Sequence, residues 1–187
     1  MMSLIAAAIV VSVLGVATAD TTTRDAVARK VDLSTVRITE VGKDTYTTKL
    51  LSNMNAAATA QVQNVAQIDT ANIGKQSAFL FSADWIKANK NDESFKQFLK
   101  TAMDKRGVVM AVGNNTDILG SALESAGVHG GFGTGGADTP VVAYKITDYT
   151  DVAGNPRQLY HEYHSGTPEG YYYDDSDMQK LAEWLTN

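Results

Sequence analysis

Three short segments carry the side chains best suited to meet a ligand: Asp44-Thr45, Asp84-Trp85 and Asn114-Asn115-Thr116. Asp84 offers a directed hydrogen-bond acceptor and Trp85 an apolar wall, the mixture that small-molecule sites use. Asn114, Asn115 and Thr116 stand just before an expected helix, whose first N–H groups lack partners and favour an anion. The same residues also suit local structure. Asn115 and Thr116 are good helix N-caps, and an indole such as Trp85 packs readily into a core.

Other motifs are less complete. His161-Glu162-Tyr163-His164 holds possible metal ligands. On a strand, Glu162 and His164 share one face and His161 takes the other, so a polar edge strand is the simpler reading. Asp174, Asp175 and Asp177 flank Ser176 without the full calcium-loop pattern, and acidic residues at a helix start are explained by the dipole. Gly131-Phe132-Gly133-Thr134-Gly135-Gly136 has the GxGxxG spacing. It follows a helix and precedes a strand, the reverse of the dinucleotide fingerprint, and reads as a connection or flap. Tyr171-Tyr172-Tyr173 suits packing of a hairpin or a binding edge. Asn114-Asn115-Thr116 is also a formal glycosylation sequon. Ser82 and Ser165 lack a G-x-S-x-G elbow, which weighs against a serine hydrolase. The absence of cysteine removes disulfides, thiolate metal sites and thiol nucleophiles. No cofactor is expected.

The elements that must position these residues alternate strand and helix. Val36 to Val41 reads as the first strand, followed by a helix over about Tyr46 to Thr59 with Leu50, Leu51 and Met54 inward. Gln61 to Ile68 alternates and reads as a half-exposed edge strand. Ala78 to Ser82 and Val108 to Val112 are apolar runs typical of buried parallel strands. Between them Asp92 caps a helix with Phe95, Phe98, Leu99, Ala102 and Met103 at helical spacing, stopped by Gly107. Asn115 or Thr116 caps the next helix, with Ile118, Leu119, Ala122, Leu123 and Ala126 inward and Gly127 at its end. Val141 to Ile146 is the fifth strand, and Arg157 to His164 adds a hairpin or edge strand. Ser176 and Gln179 form a capping box for a last helix buried through Met178, Leu181, Ala182 and Leu185. The expected fold is α/β, three-layered and doubly wound. Its five-stranded, mostly parallel sheet is flavodoxin-like, with a C-terminal hairpin or edge strand and a C-terminal helix.

Within this pattern, Ala78 to Val128 resembles the central part of the class I glutamine amidotransferase-like superfamily. The resemblance rests on strand Ala78-Phe79-Leu80-Phe81, helix Phe95 to Lys105, strand Val108 to Val112 and the sharp turn into Ile118 to Ala126. It implies a flavodoxin-like fold and, in catalytic members, a nucleophilic cysteine at that turn. Here the turn reads Val112-Gly113-Asn114-Asn115-Thr116, with no nucleophile and no neighbouring histidine. The resemblance therefore implies a member without that chemistry.

The chain has 187 residues, 16 Lys and Arg against 21 Asp and Glu, and a net charge of -5. That balance argues against nucleic acid, and no basic amphipathic stretch suggests membrane-surface docking. Leu4 to Ala19 is apolar apart from Ser12, Gly15 and Thr18, and ends in Ala17-Thr18-Ala19, a small-x-small cleavage pattern. It is shorter than the roughly 20 residues needed to span a membrane. Residues 1–19 are expected to be a cleaved signal peptide, with a short uncleaved anchor or a buried helix as alternatives. Residues 20–187 then form one secreted or cell-envelope domain, membrane-attached only if the anchor is retained. The function expected is non-catalytic: binding a small molecule or an envelope protein, or a structural role. The alternative is a divergent hydrolase or transferase-like enzyme using polar groups at the strand ends.

Overall fold

The computed structural model describes residues 31–130, 132, 139–165 and 175–187. The segment expected to direct export, most of the glycine-rich connection, the Tyr171 to Tyr173 run and Asp174 lie outside the described residues. No helix among them is long and apolar enough to cross a membrane.

Among the described residues, six strands form one sheet: β1 (Arg37–Val41), β2 (Ala60–Val62), β3 (Ser77–Ser82), β4 (Val108–Val112), β5 (Val141–Thr150) and β6 (Pro156–Ser165), in the spatial order β2-β1-β3-β4-β5-β6. The four strands β1 to β4 are parallel, and every residue of β3 and β4 is buried. Strands covered on both faces need apolar side chains throughout, which explains their unbroken hydrophobic sequence. The order 2-1-3-4 and its reversal between β1 and β3 are those of the flavodoxin-like sheet.

Among the described residues, five helices cover the sheet: α1 (Thr45–Asn53), α2 (Ala83–Asn89), α3 (Glu93–Asp104), α4 (Ile118–Ser125) and α5 (Asp175–Thr186). One face holds Phe79, Phe81, Val109 and Ala111 against α2, α3 and α4. The other holds Ile38, Leu80, Met110 and Ala143 against α1 and α5. The three layers are the result. Phe81 meets Phe95 with ring centroids 5.4 Å apart, and Phe79 meets Phe98 at 4.9 Å, both edge-to-face. Burying such side chains stabilises the fold by about 1.5–3 kcal/mol each.

Four local expectations are corrected. The first helix ends at Asn53 rather than Thr59, because Asn55 takes φ 49° and turns the chain out. The edge strand expected over Gln61 to Ile68 is only Ala60–Val62. Beyond it, Val65–Gln67 is a 3-10 turn, closed by the side-chain Oε1 of Gln67 accepting from the N–H groups of Gln63 (2.7 Å) and Asn64 (3.2 Å). Asp84 and Trp85 do not lie in a loop: Ser82 ends β3 and caps α2 directly, accepting from Trp85 N–H at 3.2 Å. Neither Asn115 nor Thr116 caps α4, whose first turn follows Asp117 without a side-chain cap. The Ser176 cap lies among side chains outside the described residues.

The parallel run of the sheet ends at β4. β5 is antiparallel to β4, pairing Val112 with Val141 and Val109 with Tyr144. It continues to Thr150 as a long hairpin with β6, past the last residue paired with β4. β6 therefore runs in the direction of β4, and its carboxyl end returns to the same edge of the sheet. One row crosses all six strands there: Val62, Val41, Phe81, Ala111, Val142 and His164.

Candidate functional site

The carboxyl ends of β1, β3, β4 and β6 share one rim with the start of β5. Leaving β1, Gly42 adopts φ +62° and Asp44 caps α1. The Asp44 carboxylate accepts from Thr47 N–H at 2.9 Å, and the Thr47 hydroxyl accepts from Asp44 N–H at 3.0 Å. This is a capping box, so Asp44 serves the helix start. Thr45 is exposed on the first turn.

The Thr47 hydroxyl also donates to Glu40 Oε1 at 2.5 Å, and Gln61 Nε2 donates to Glu40 Oε2 at 2.8 Å. Glu40 is 1% exposed. A carboxylate at the end of β1 is thus held under α1 by two neutral donors, the satisfaction a buried acid requires. Sequence reasoning passed over Glu40. Its signal was the spacing of Ile38 and Glu40, which places both on the face that α1 covers.

Trp85 closes the place where strand order reverses. Its ring packs on Phe81 and Phe95, with centroids 5.2 and 5.1 Å away, and its Nε1 donates to Gln63 O at 3.2 Å. The indole lies so close to Gly42 that a Cβ there would stand 2.0 Å from Trp85 Cδ1. Between β1 and β3, the crevice that doubly wound sheets offer to ligands is filled on this side by the protein's own side chain. Asp84, beside it, is exposed at the first turn of α2.

Past β4, Gly113 has φ +113° and Asn115 φ +59°, and both asparagines are exposed. Tyr46 from α1 lies over Gly113, whose added Cβ would sit 3.4 Å from the ring. Asn114 Nδ2 donates to the Tyr46 hydroxyl at 3.4 Å. Thr116 is buried and its hydroxyl donates to Thr139 O at 2.5 Å, while Gly113 N–H donates to Pro140 O at 3.0 Å. Thr116 therefore ties the turn to the connection that enters β5.

The rim thus brings Tyr46 together with Asn114 across β3, and Gly42 with Trp85. Asp84 and Thr45 are exposed residues in the first turns of their helices and take no part in that contact. Tyr46, which the sequence reading placed on the first expected helix without a role, is the side chain that joins the two loops.

A second polar group reaches the rim on β6. Glu162 and His164 share a face, as alternation requires, with His164 Nε2 2.5 Å from Glu162 Oε1. Glu162 stands opposite Tyr144 on β5 and accepts a hydrogen bond from its hydroxyl. Burial, then that carboxylate, push the Tyr144 phenol well above its ordinary value. Gly120 of α4 makes the space: a Cβ there would lie 3.3 Å from the Tyr144 hydroxyl. His161 takes the opposite face, with its Nε2 2.7 Å from the Thr147 hydroxyl. Among the described residues, no group of three or more His, Cys, Asp or Glu side chains is placed to hold a metal ion.

The serines do not join the imidazole. Ser82 is engaged as the cap of α2, and Ser165 follows His164 on the strand and so faces the opposite layer.

Fold and rim together define a three-layer α/β protein with a largely parallel sheet, a C-terminal hairpin and a C-terminal helix. Comparison with protein-family models, with curated proteins and with solved structures finds no match.

Proposed function

We propose that this chain is an exported, non-catalytic α/β domain that binds a small polar ligand, or a segment of an envelope partner, at the carboxyl rim. The observation that carries the reading is the contact of Asn114 with Tyr46, 3.4 Å apart. It brings polar side chains from the ends of two strands together beside two turns with left-handed backbone, at Gly113 and Asn115. Exposed amide, hydroxyl and backbone groups at such a turn suit a ligand that both donates and accepts. Export rests on Leu4 to Ala19 and its Ala17-Thr18-Ala19 ending. The resemblance of residues 78–128 to the amidotransferase-like superfamily, whose catalytic members carry a cysteine at the turn that here reads Val112-Gly113-Asn114-Asn115-Thr116, supports binding without that reaction.

The test is the melting temperature of the full chain against a defined panel of amino acids, monosaccharides and nucleosides. A stabilising compound is expected to lose its effect in Asn114→Ala and retain it in Asp84→Ala, since Asp84 stands apart from the Tyr46 contact. Stabilisation unchanged in Asn114→Ala removes the site from the rim.

One observation favours the enzymatic alternative: the Glu162 carboxylate holds His164 at the carboxyl end of β6. A carboxylate-oriented imidazole is the arrangement of a general base. Hydrolysis of an ester panel that disappears in His164→Gln and persists in Asn114→Ala would favour this reading over binding alone.

A further inference from the structure

At the opposite edge of the sheet, a cavity of about 220 Å³ lies between the amino ends of β3 and β4, the middle of β5 and the end of α5. Three cations line it: Lys75, Arg106 and Lys145. Their environments differ. Arg106 is engaged, with Nε and Nη2 on the Asp148 carboxylate at 2.9 and 2.7 Å and Nη1 on backbone carbonyls. Lys75 is exposed at the mouth.

Lys145 is the unusual one. It is 8% exposed, and among the described residues it has no acidic partner. Its ammonium donates to Trp184 O, 2.5 Å away in the last turn of α5, and lies 4.3 Å from the centroid of the Trp184 indole. A carbonyl at a helix C-terminus and an aromatic face offset part of the cost of burying a cation. Neither supplies an opposite full charge, and burial alone holds the ammonium below its ordinary value. An ammonium has three protons to donate. The carbonyl takes one.

We propose that this cavity is a binding site for a small oxyanion, of the phosphate or carboxylate kind, held between Lys145 at its floor and Lys75 at its mouth. Arg106 adds field without a free fork, because Asp148 occupies it. At roughly 30 Å³ per water, the cavity has room for an anion of a few heavy atoms with part of its hydration. Asn187 also lines the cavity. The site is separate from the rim: β5 runs from Val141 at the rim through Lys145 toward Thr150.

The experiment is a melting-temperature titration of the full chain with inorganic phosphate and, in a second arm, malonate. Ionic strength is held constant with sodium chloride. Wild type is expected to rise in melting temperature with at least one of the two. The apparent Kd should weaken about tenfold or more in Lys145→Met, the factor carried by one charge-assisted hydrogen bond. It should also weaken in Lys75→Gln, an exposed substitution that leaves packing intact and so keeps the test valid if Lys145→Met folds poorly. The better arm identifies the oxyanion class. No rise beyond the chloride control in either arm overturns the proposal, as does a rise equal in wild type and Lys75→Gln.

Discussion

Gly42 and Thr47 are the residues on which the geometry of the rim turns. A methyl group at Gly42 meets two obstacles, a left-handed φ of +62° and an indole carbon 2.0 Å away. Gly42→Ala is expected to lower unfolding free energy by roughly 2–4 kcal/mol, read from urea or guanidinium midpoints. An unchanged midpoint would mean that Trp85 does not close on this turn. Thr47 gives its proton to Glu40 and its lone pair to the Asp44 N–H. Thr47→Val leaves a buried carboxylate oxygen without a donor, at a cost of about 1–3 kcal/mol. Thr47→Ser retains the hydroxyl and should recover most of it. Equal losses in Val and Ser would trace the effect to packing of the methyl group instead.

Tyr144 makes a pH prediction with a definite sign. Its phenol is held above the ordinary value, chiefly by burial and then by Glu162. The folded protein thus keeps that proton more tightly than the unfolded chain, whose tyrosine titrates near pH 10. This contribution is fully present below about pH 10 and is lost as pH rises toward the folded value. Ultraviolet titration of wild type and Tyr144→Phe should coincide until alkaline unfolding, because Tyr144 does not ionise in the folded state. An extra tyrosine ionising in folded wild type, absent from Tyr144→Phe, would contradict the buried hydroxyl.

At the scale of elements, the hairpin of β5 and β6 is anchored to the turn between α3 and β4 by Arg106 and Asp148. The guanidinium holds the Asp148 carboxyl below its ordinary value, first through the hydrogen bond. The stabilisation is complete above about pH 4, the unfolded value, and falls as pH drops through the folded one. The stability difference between wild type and Asp148→Asn should therefore shrink as pH falls below about 4. Asp148 is exposed, so the difference is small at any pH. A constant difference down to pH 2 would assign it to something other than this ion pair.

The elements that could be read directly were those whose packing writes a period. β3, β4 and α3 carry unbroken apolar runs or helical spacing, because both faces or one stripe are buried. α2 escaped notice because seven residues hold too few turns to show a period, and because Ser82 serves both as the strand's last residue and as the helix cap. The alternation of Gln61 to Ile68 resembles a strand, yet Gln67 reaches back to two N–H groups and folds it into a 3-10 turn. A local side-chain bond competed with the ladder and prevailed.

For the molecule as a whole, the direction of β5 was not legible. A buried run such as Val141 to Ile146 reads alike whether parallel or antiparallel, since direction lies in the connection and not in the residues. The antiparallel β5 leaves β1, β3 and β4 with their carboxyl ends together, so the three candidate segments still reach one edge. It adds β6 to that edge and brings Glu162 and His164 with it. Of the candidate site, the edge that its three segments share was legible, whereas the helical place of Asp84 and Trp85 and the roles of the residues were not. Asp44, Trp85 and Thr116 turned out to be engaged as cap, plug and tie. Tyr46, which joins two of the segments, and Glu40, which bonds to α1 and β2, sat inside elements where only tertiary contact reveals a polar role.

The chain has two tryptophans, and Trp184 lies with α5 on the far layer from Trp85. In Trp184→Phe, fluorescence therefore reports on the rim alone. Titrating that variant with the amino acid, monosaccharide and nucleoside panel tests the binding rim most directly. The account predicts that at least one compound shifts Trp85 emission saturably, and that adding Asn114→Ala abolishes the shift. Emission that no compound alters, or a shift that survives Asn114→Ala, would contradict it.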